Sequence, residues 1–145
     1  MIDRYTRDEM AHIWDEQNRF SVMKKVEVTV AIVQARMGLI PRAAALSISK
    51  KAKFEVQRIH ELKVITKHDV MAFVQSLMES VGTTHGKYVH FGMTSSDVID
   101  TALSLQIQQA GWLVMEGLKD LQKTLKKLIK THSTTLCLGR THGMA

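Results

Sequence analysis

The sequence predicts an all-α protein, and three observations carry that prediction. Proline occurs once and glycine eight times in 145 residues, so helix breakers are few. Met, Leu, Ala, Lys and Gln recur, and all are good helix formers. Apolar residues return at spacings of three and four along most of the chain. The hydrophobic content of 45% is too high for disorder, and the length is enough to bury a core.

In chain order, Thr6-Arg7-Asp8-Glu9 reads as a capping box, with Thr6 as cap and Glu9 reaching back. A short helix follows with Met10, Ile13 and Trp14 on one side. Arg4 and Tyr5 lie ahead of it. A guanidinium beside a phenol can clamp a phosphate; it is also an ordinary surface pair. Phe20 to Met37 reads as a second helix, with Val22, Val26, Val30 and Val33 as its stripe. Val28, Ile32 and Ala35 widen that stripe, so the helix should be buried on more than one side. Gly38 is expected to end it and Pro41 to open a short helix reaching Lys51.

Phe54 to Ile65 carries Phe54, Ile59, Leu62 and Ile65 among charged residues, an amphipathic helix. Thr66-Lys67-His68-Asp69 reads as a break and restart, with Thr66 the expected cap and His68 and Asp69 in the first turn. There the helix dipole favours a carboxylate and disfavours an imidazolium. The pair either fixes the helix start or orients a histidine at a site. Val70, Phe73, Val74, Leu77 and Met78 continue a buried face to Gly82. The polar, glycine-punctuated run from Val81 to Lys87 is expected to be a loop.

Asp97 to about Lys130 is expected to form one long helix. Leu103, Ile107, Ala110, Val114, Leu118, Leu121, Leu125 and Leu128 make a continuous seam suited to a helical bundle. Trp112, Leu113 and Met115 lie off the seam. This second apolar surface implies an oligomer or further chain to cover it. Lys119, Lys123, Lys126, Lys127 and Lys130 face away, as an anion patch or a solvated face. No aromatic residues interleave them, which argues against a stacking platform for single-stranded nucleic acid.

The net charge of +6 is a mild excess. Cys137 is the single cysteine, which excludes an internal disulfide and fits a reducing, cytoplasmic setting. Met1-Ile2-Asp3-Arg4-Tyr5 lacks the apolar run of a signal peptide. No apolar run is long enough to span a bilayer. Metal-ligand pairs at helical spacing, phosphate-binding loops and dinucleotide fingerprints are absent from the sequence. No role attaches to His12, His60, His85 or His132.

Two stretches carry the chemistry. In Tyr88-Val89-His90-Phe91-Gly92-Met93-Thr94-Ser95-Ser96-Asp97-Val98, Gly92 permits a sharp turn. Thr94, Ser95 and Ser96 then suit a helix start. Free N–H groups at such a start seat a carboxylate or phosphate, and His90 stands close by. The same pattern also describes an ordinary capped helix. In Cys137-Leu138-Gly139-Arg140-Thr141-His142-Gly143, a histidine sits between an Arg-Thr pair and a glycine. That arrangement suits acid–base work beside an oxyanion.

Four segments together resemble the adenylosuccinate lyases of the fumarase/aspartase superfamily. They are Ile2-Asp3-Arg4-Tyr5, Lys67-His68-Asp69-Val70, the stretch from Tyr88 to Val98 with Asp100-Thr101-Ala102-Leu103, and Gly139-Arg140-Thr141-His142-Gly143. The resemblance spans the whole chain, as the amino-terminal third of such an enzyme. It implies a small helical N-terminal domain over residues 1–93, with residues 94–145 starting a central helical bundle. It implies a homotetramer whose active sites combine residues from three subunits. The reaction implied is cofactor-free β-elimination of fumarate from adenylosuccinate, giving AMP, and from the succinyl-aminoimidazole-carboxamide ribotide. No metal, nucleic acid or membrane is involved.

On that resemblance Arg4 and Tyr5 are the nucleotide phosphate clamp. Lys67, His68 and Asp69 bind substrate, with His68 supporting the acid. His90 is a further active-site histidine. Thr94 and Ser95 hold the succinyl carboxylate, Thr141 adds a substrate contact, and His142 is the general acid that protonates the departing nitrogen. The family's base is a serine in a loop signature that lies beyond residue 145, so Gly143-Met144-Ala145 reads as a truncation. The nearest rival is carboxymuconate cycloisomerase, which shares the Thr-Ser-x-Asp helix start. It has no use for an Arg4-Tyr5 clamp and usually lacks counterparts of His68-Asp69 and His142. A basic helical module that binds nucleic acid or a partner protein is the reading from a different class.

Overall fold

Seven α-helices and one 3-10 turn account for the regular structure of the computed structural model, which describes residues 2–139 and 142–143. No strand occurs among the described residues, as expected for an all-α chain. The helices are α1 (Asp8–Ile13), α2 (Glu16–Arg36), α3 (Arg42–Lys51), α4 (Val56–Thr66), α5 (Asp69–Val81), α6 (Thr83–Gly86) and α7 (Ser95–His132). The chain divides into two compact units, Met1–Ala110 and Gly111–Ala145, and α7 contributes to both.

The first unit holds the core. Phe20 and Phe73 stack with ring centres 5.6 Å apart, and Phe54 meets them edge-on at 6.0 and 6.4 Å. Met23, Ile48, Leu62, Leu77 and Val98 surround these rings, fully buried. The aromatic geometry is the offset and T-shaped packing that ring quadrupoles favour.

Several element boundaries differ from the sequence expectation, each for a local reason. Thr6 does not cap α1: its hydroxyl donates to the Ile2 carbonyl at 2.9 Å, and Arg7 takes the cap position without a side-chain bond. Helix α2 begins earlier than Phe20 because the Asp15 carboxylate accepts the Asn18 N–H at 2.6 Å. Its buried side is Phe20, Met23, Glu27, Ala31 and Ala35 with Val22 and Val26, while Val33 is exposed. Pro41 caps α3 from just outside it. Phe54 likewise precedes α4.

The run expected to be a loop from Val81 to Lys87 contains α6. Gly86 makes that turn possible, because a Cβ there would sit 2.8 Å from the Met78 carbonyl oxygen.

Helix α7 starts two residues before Asp97. In the first unit its buried side is Val98, Ala102 and Gln106, whereas the expected seam residues Leu103 and Ile107 are exposed. Gln106 occupies a core position because its amide donates to the Ile13 carbonyl at 2.7 Å. That carbonyl lies at the end of α1, where no helical partner is left for it. Asn18 donates to the same oxygen and to Gln109, completing a polar latch between α7 and the α1–α2 corner.

In the second unit α7 continues to His132, and Lys123 pairs with Asp120 at 2.9 Å on its solvated face. The seam residues Val114, Leu118, Leu121, Leu125 and Leu128 are exposed, as are Trp112, Leu113 and Met115. No helix is long and apolar enough to cross a membrane among the described residues.

Candidate functional site

The polar centre of the first unit is built where the loop before α7 meets α2. Glu27 is buried in the middle of α2, with only 2% of its surface exposed. Both of its oxygens serve one residue. Oε2 accepts the His90 backbone N–H at 3.0 Å, and Oε1 lies 2.7 Å from His90 Nδ1. A carboxylate only accepts, so Nδ1 carries the proton and Nε2 is left for another partner. Two turns along the same face of α2, the Gln34 amide donates to the Phe91 carbonyl at 2.7 Å. These two clamps hold His90 at a left-handed φ of 62°. Such a conformation costs a non-glycine residue about 1–3 kcal/mol and persists where surroundings over-determine it. Gly92 takes the next left-handed turn at φ 69°.

The Glu27 hydrogen bond pushes the His90 ring above its ordinary value of 6.5; burial opposes this, and the charges of Glu27 and Asp97 add to it. A histidine with a raised folded value stabilises the fold below the unfolded value. That contribution is lost as pH rises through the folded value. Thermal unfolding of this chain is therefore expected to move to lower temperature as pH rises above the ordinary histidine value of about 6.5. Glu27→Gln should flatten that dependence, and scanning calorimetry across the range checks it.

Four residues on, the chain enters α7. Thr94 stands just before the helix, and its N–H donates to the Asp97 carboxylate at 2.8 Å. This is half of a capping box. The side chain that caps is thus Asp97, not a hydroxyl of Thr94, Ser95 or Ser96. Among the described residues the Thr94 and Ser95 hydroxyls form no intrachain hydrogen bond, beside the open N–H groups of the first turn. A groove of about 620 Å³ lies along α2 and the first turns of α7. Lys25, Thr29, Gln34, Asp97 and Thr101 supply its polar groups, and Val26, Val30, Met93 and Leu105 its apolar floor. The volume is on the scale of a small-molecule site.

The second cluster sits at the α4–α5 corner. Lys67 ends α4 in a left-handed conformation, φ 55°. Thr66 does not cap α5; His68 does, its Nδ1 accepting the Met71 N–H at 3.2 Å. The Thr66 hydroxyl donates to the His68 carbonyl instead. With Nδ1 accepting, the His68 ring carries a proton on Nε2, the nitrogen opposite to the one Glu27 faces on His90. Asp69 pairs with Lys63 at 2.8 Å. That hydrogen bond holds its carboxyl below the usual range, with burial opposing and the charges of Lys63, Arg19 and His68 helping. Removing the cap with His68→Ala should cost about 0.5–2 kcal/mol in urea unfolding, while His68→Asn should retain most of that stability.

Arg19 bears on Asp69, and Glu27 holds His90. Both anchors belong to α2, eight residues apart, so the two clusters sit roughly 12 Å apart along that helix. No hydrogen bond or ion pair joins them among the described residues. Arg4 and Tyr5 lie in the 3-10 turn Asp3–Tyr5, exposed, with the guanidinium 4.7 Å from the ring centre. His142 belongs to the second unit, exposed in a left-handed turn at φ 47° followed by Gly143 at φ 77°. Arg140 and Thr141 lie outside the described residues. No group of three metal-ligating side chains converges among the described residues.

Sequence reasoning missed Glu27, Gln34 and Lys25. Glu27 carried one signal, a lone acid inside an otherwise apolar stripe of α2. The residue type of Asp97 does not by itself reveal its bond to the Thr94 N–H.

Residues 3–145 match the lyase family. Adenylosuccinate lyase from Aquifex aeolicus is 43% identical over 99% of this chain, and that from Bacillus subtilis is 40% identical over 99%. The chain spans about a third of the length of these curated relatives, 33% in each case. Among solved structures, fumarate lyase from Mesorhizobium sp. BNC1 superposes with a TM-score of 0.86 at 32% identity. A β-carboxy-cis,cis-muconate cycloisomerase from Acinetobacter calcoaceticus gives 0.84 at 27% identity. Each superposition covers 95% of this chain and 34% of the other.

Proposed function

We propose a function from one premise: the chain belongs to the lyase family. It forms the amino-terminal third of an adenylosuccinate lyase, which eliminates fumarate from adenylosuccinate to leave AMP and treats the succinyl-aminoimidazole-carboxamide ribotide alike. The observation that carries this reading is the 40–43% identity to adenylosuccinate lyases along essentially the whole chain. The solved cycloisomerase shares the fold at a lower 27%.

In this reading residues 1–93 are the N-terminal domain and 94–145 begin the bundle. The reaction breaks a C–N bond and a C–H bond next to a carboxylate. A base removes the carbon-bound proton, and negative charge builds on the carboxylate. Donors placed at that charge lower the barrier. The free hydroxyls of Thr94 and Ser95, with the first-turn N–H groups of α7, supply such donors. His90 and the Lys67-His68-Asp69 corner bind the rest of the substrate, Arg4 and Tyr5 its phosphate, and Thr141 adds a contact. His142 gives its proton to the departing nitrogen, so that an amine leaves rather than its anion. The base is a serine beyond residue 145. No cofactor, metal, nucleic acid or membrane takes part.

The exposed apolar seam of α7 supports assembly, and a homotetramer brings clusters from different subunits around one substrate. The exposed free thiol of Cys137 suits a reducing cytoplasm. Fumarate release from adenylosuccinate by the full-length protein tests the reading. Turnover supports it; cycloisomerisation of a carboxymuconate without fumarate release assigns the chain to the rival chemistry. Salt-sensitive binding to any polyanion, without turnover of either substrate, supports the basic-module reading instead.

A further inference from the structure

We propose that Glu27 is the positioning residue of the site: it holds the His90 imidazole in one tautomer and one orientation, with Nε2 left free for the substrate. The assignment deepens the lyase reading and rests on it for the identity of the substrate and for placing His90 beside it.

The geometry is specific. A carboxylate buried in the middle of α2 spends both oxygens on a single residue, one on its N–H and one on its Nδ1–H. The imidazole side chain is 14% exposed and the carboxylate side chain 1%, so the pair meets solvent only through the ring. A loop staple would need the backbone bond alone. The second oxygen, at 2.7 Å from Nδ1, fixes the ring as well. It also forces the proton onto Nδ1 and makes the ring a better base at Nε2, as a carboxylate behind a histidine does in acid–base and metal sites. The charged groups that bear on the ring are Glu27 from α2 and Asp97 from the first turn of α7. Asp97 is occupied by the Thr94 N–H, which leaves Glu27 as the orienting group.

The test reads the ring directly, in this chain, by nitrogen-15 and carbon-13 NMR of labelled histidine. In the unaltered chain at high pH, His90 should show the Nδ1–H tautomer while His68 shows Nε2–H. Glu27→Gln should lower the proton affinity of His90 by about tenfold or more, one pH unit of midpoint, with the far-ultraviolet circular dichroism unchanged. Glu27→Asp should restore part of that shift. An Nε2–H tautomer for His90 in the unaltered chain overturns the proposal even if the variants fail to fold. So does an unmoved midpoint in a folded Glu27→Gln. Neither readout depends on lyase activity, so a full-length protein that does not release fumarate defeats the functional reading and leaves this one standing.

Discussion

Replacing His142 by alanine in the full-length protein is expected to lower kcat for adenylosuccinate by about 10²–10⁴, the usual contribution of a positioned acid. The departing nitrogen would otherwise leave as an amide-like anion, and solvent protonation is a poor substitute. The KM should change far less, because a proton donor acts in the transition state and not in ground-state binding. His142 is exposed, in a turn whose backbone is left-handed at residues 142 and 143. Steady-state rates of fumarate formation check the prediction. An unchanged kcat would remove His142 from the chemistry.

Glu27→Ala is expected to destabilise the first unit by about 3–5 kcal/mol in chemical denaturation. It leaves the His90 N–H and Nδ1 without their acceptor and opens a void in α2's buried face. The double variant Glu27→Ala with His90→Ala should cost less than the sum of the two single changes, because the pair is coupled. Additive costs would mean that the imidazole and the carboxylate do not support one another.

The fold class and most helices were legible because they rest on spacing. Val70, Phe73, Val74 and Leu77 read as a buried face and are one. Errors arose where a polar atom outbid the pattern. Thr6 and Thr66 had the right residue type for a cap, yet their hydroxyls donate to nearby carbonyls, and a histidine ring caps α5. Gln106 lies in the core because an orphaned carbonyl needs it, and no periodicity reveals that.

Leu103 and Ile107 belong to a continuous apolar seam by sequence, but within the first unit the buried side is one step round the helix, at Val98, Ala102 and Gln106. Both stripes are real. A single chain uses one of them, and hydrophobic spacing alone does not say which. At the site, the Thr94-to-Asp97 helix start was legible from residue types. Its partner was not, because Glu27 is 63 residues from His90, and a lone acid in an apolar stripe does not say which residue it meets.

In the proposed function these residues form one part of an active site completed elsewhere in a longer, assembled protein. The most direct measurement is fumarate release from adenylosuccinate, followed in parallel for the full-length protein and for residues 1–145 alone. Steady turnover by the first and none by the second is the expected result. No turnover by the full-length protein, or turnover by the 145 residues alone, would contradict it.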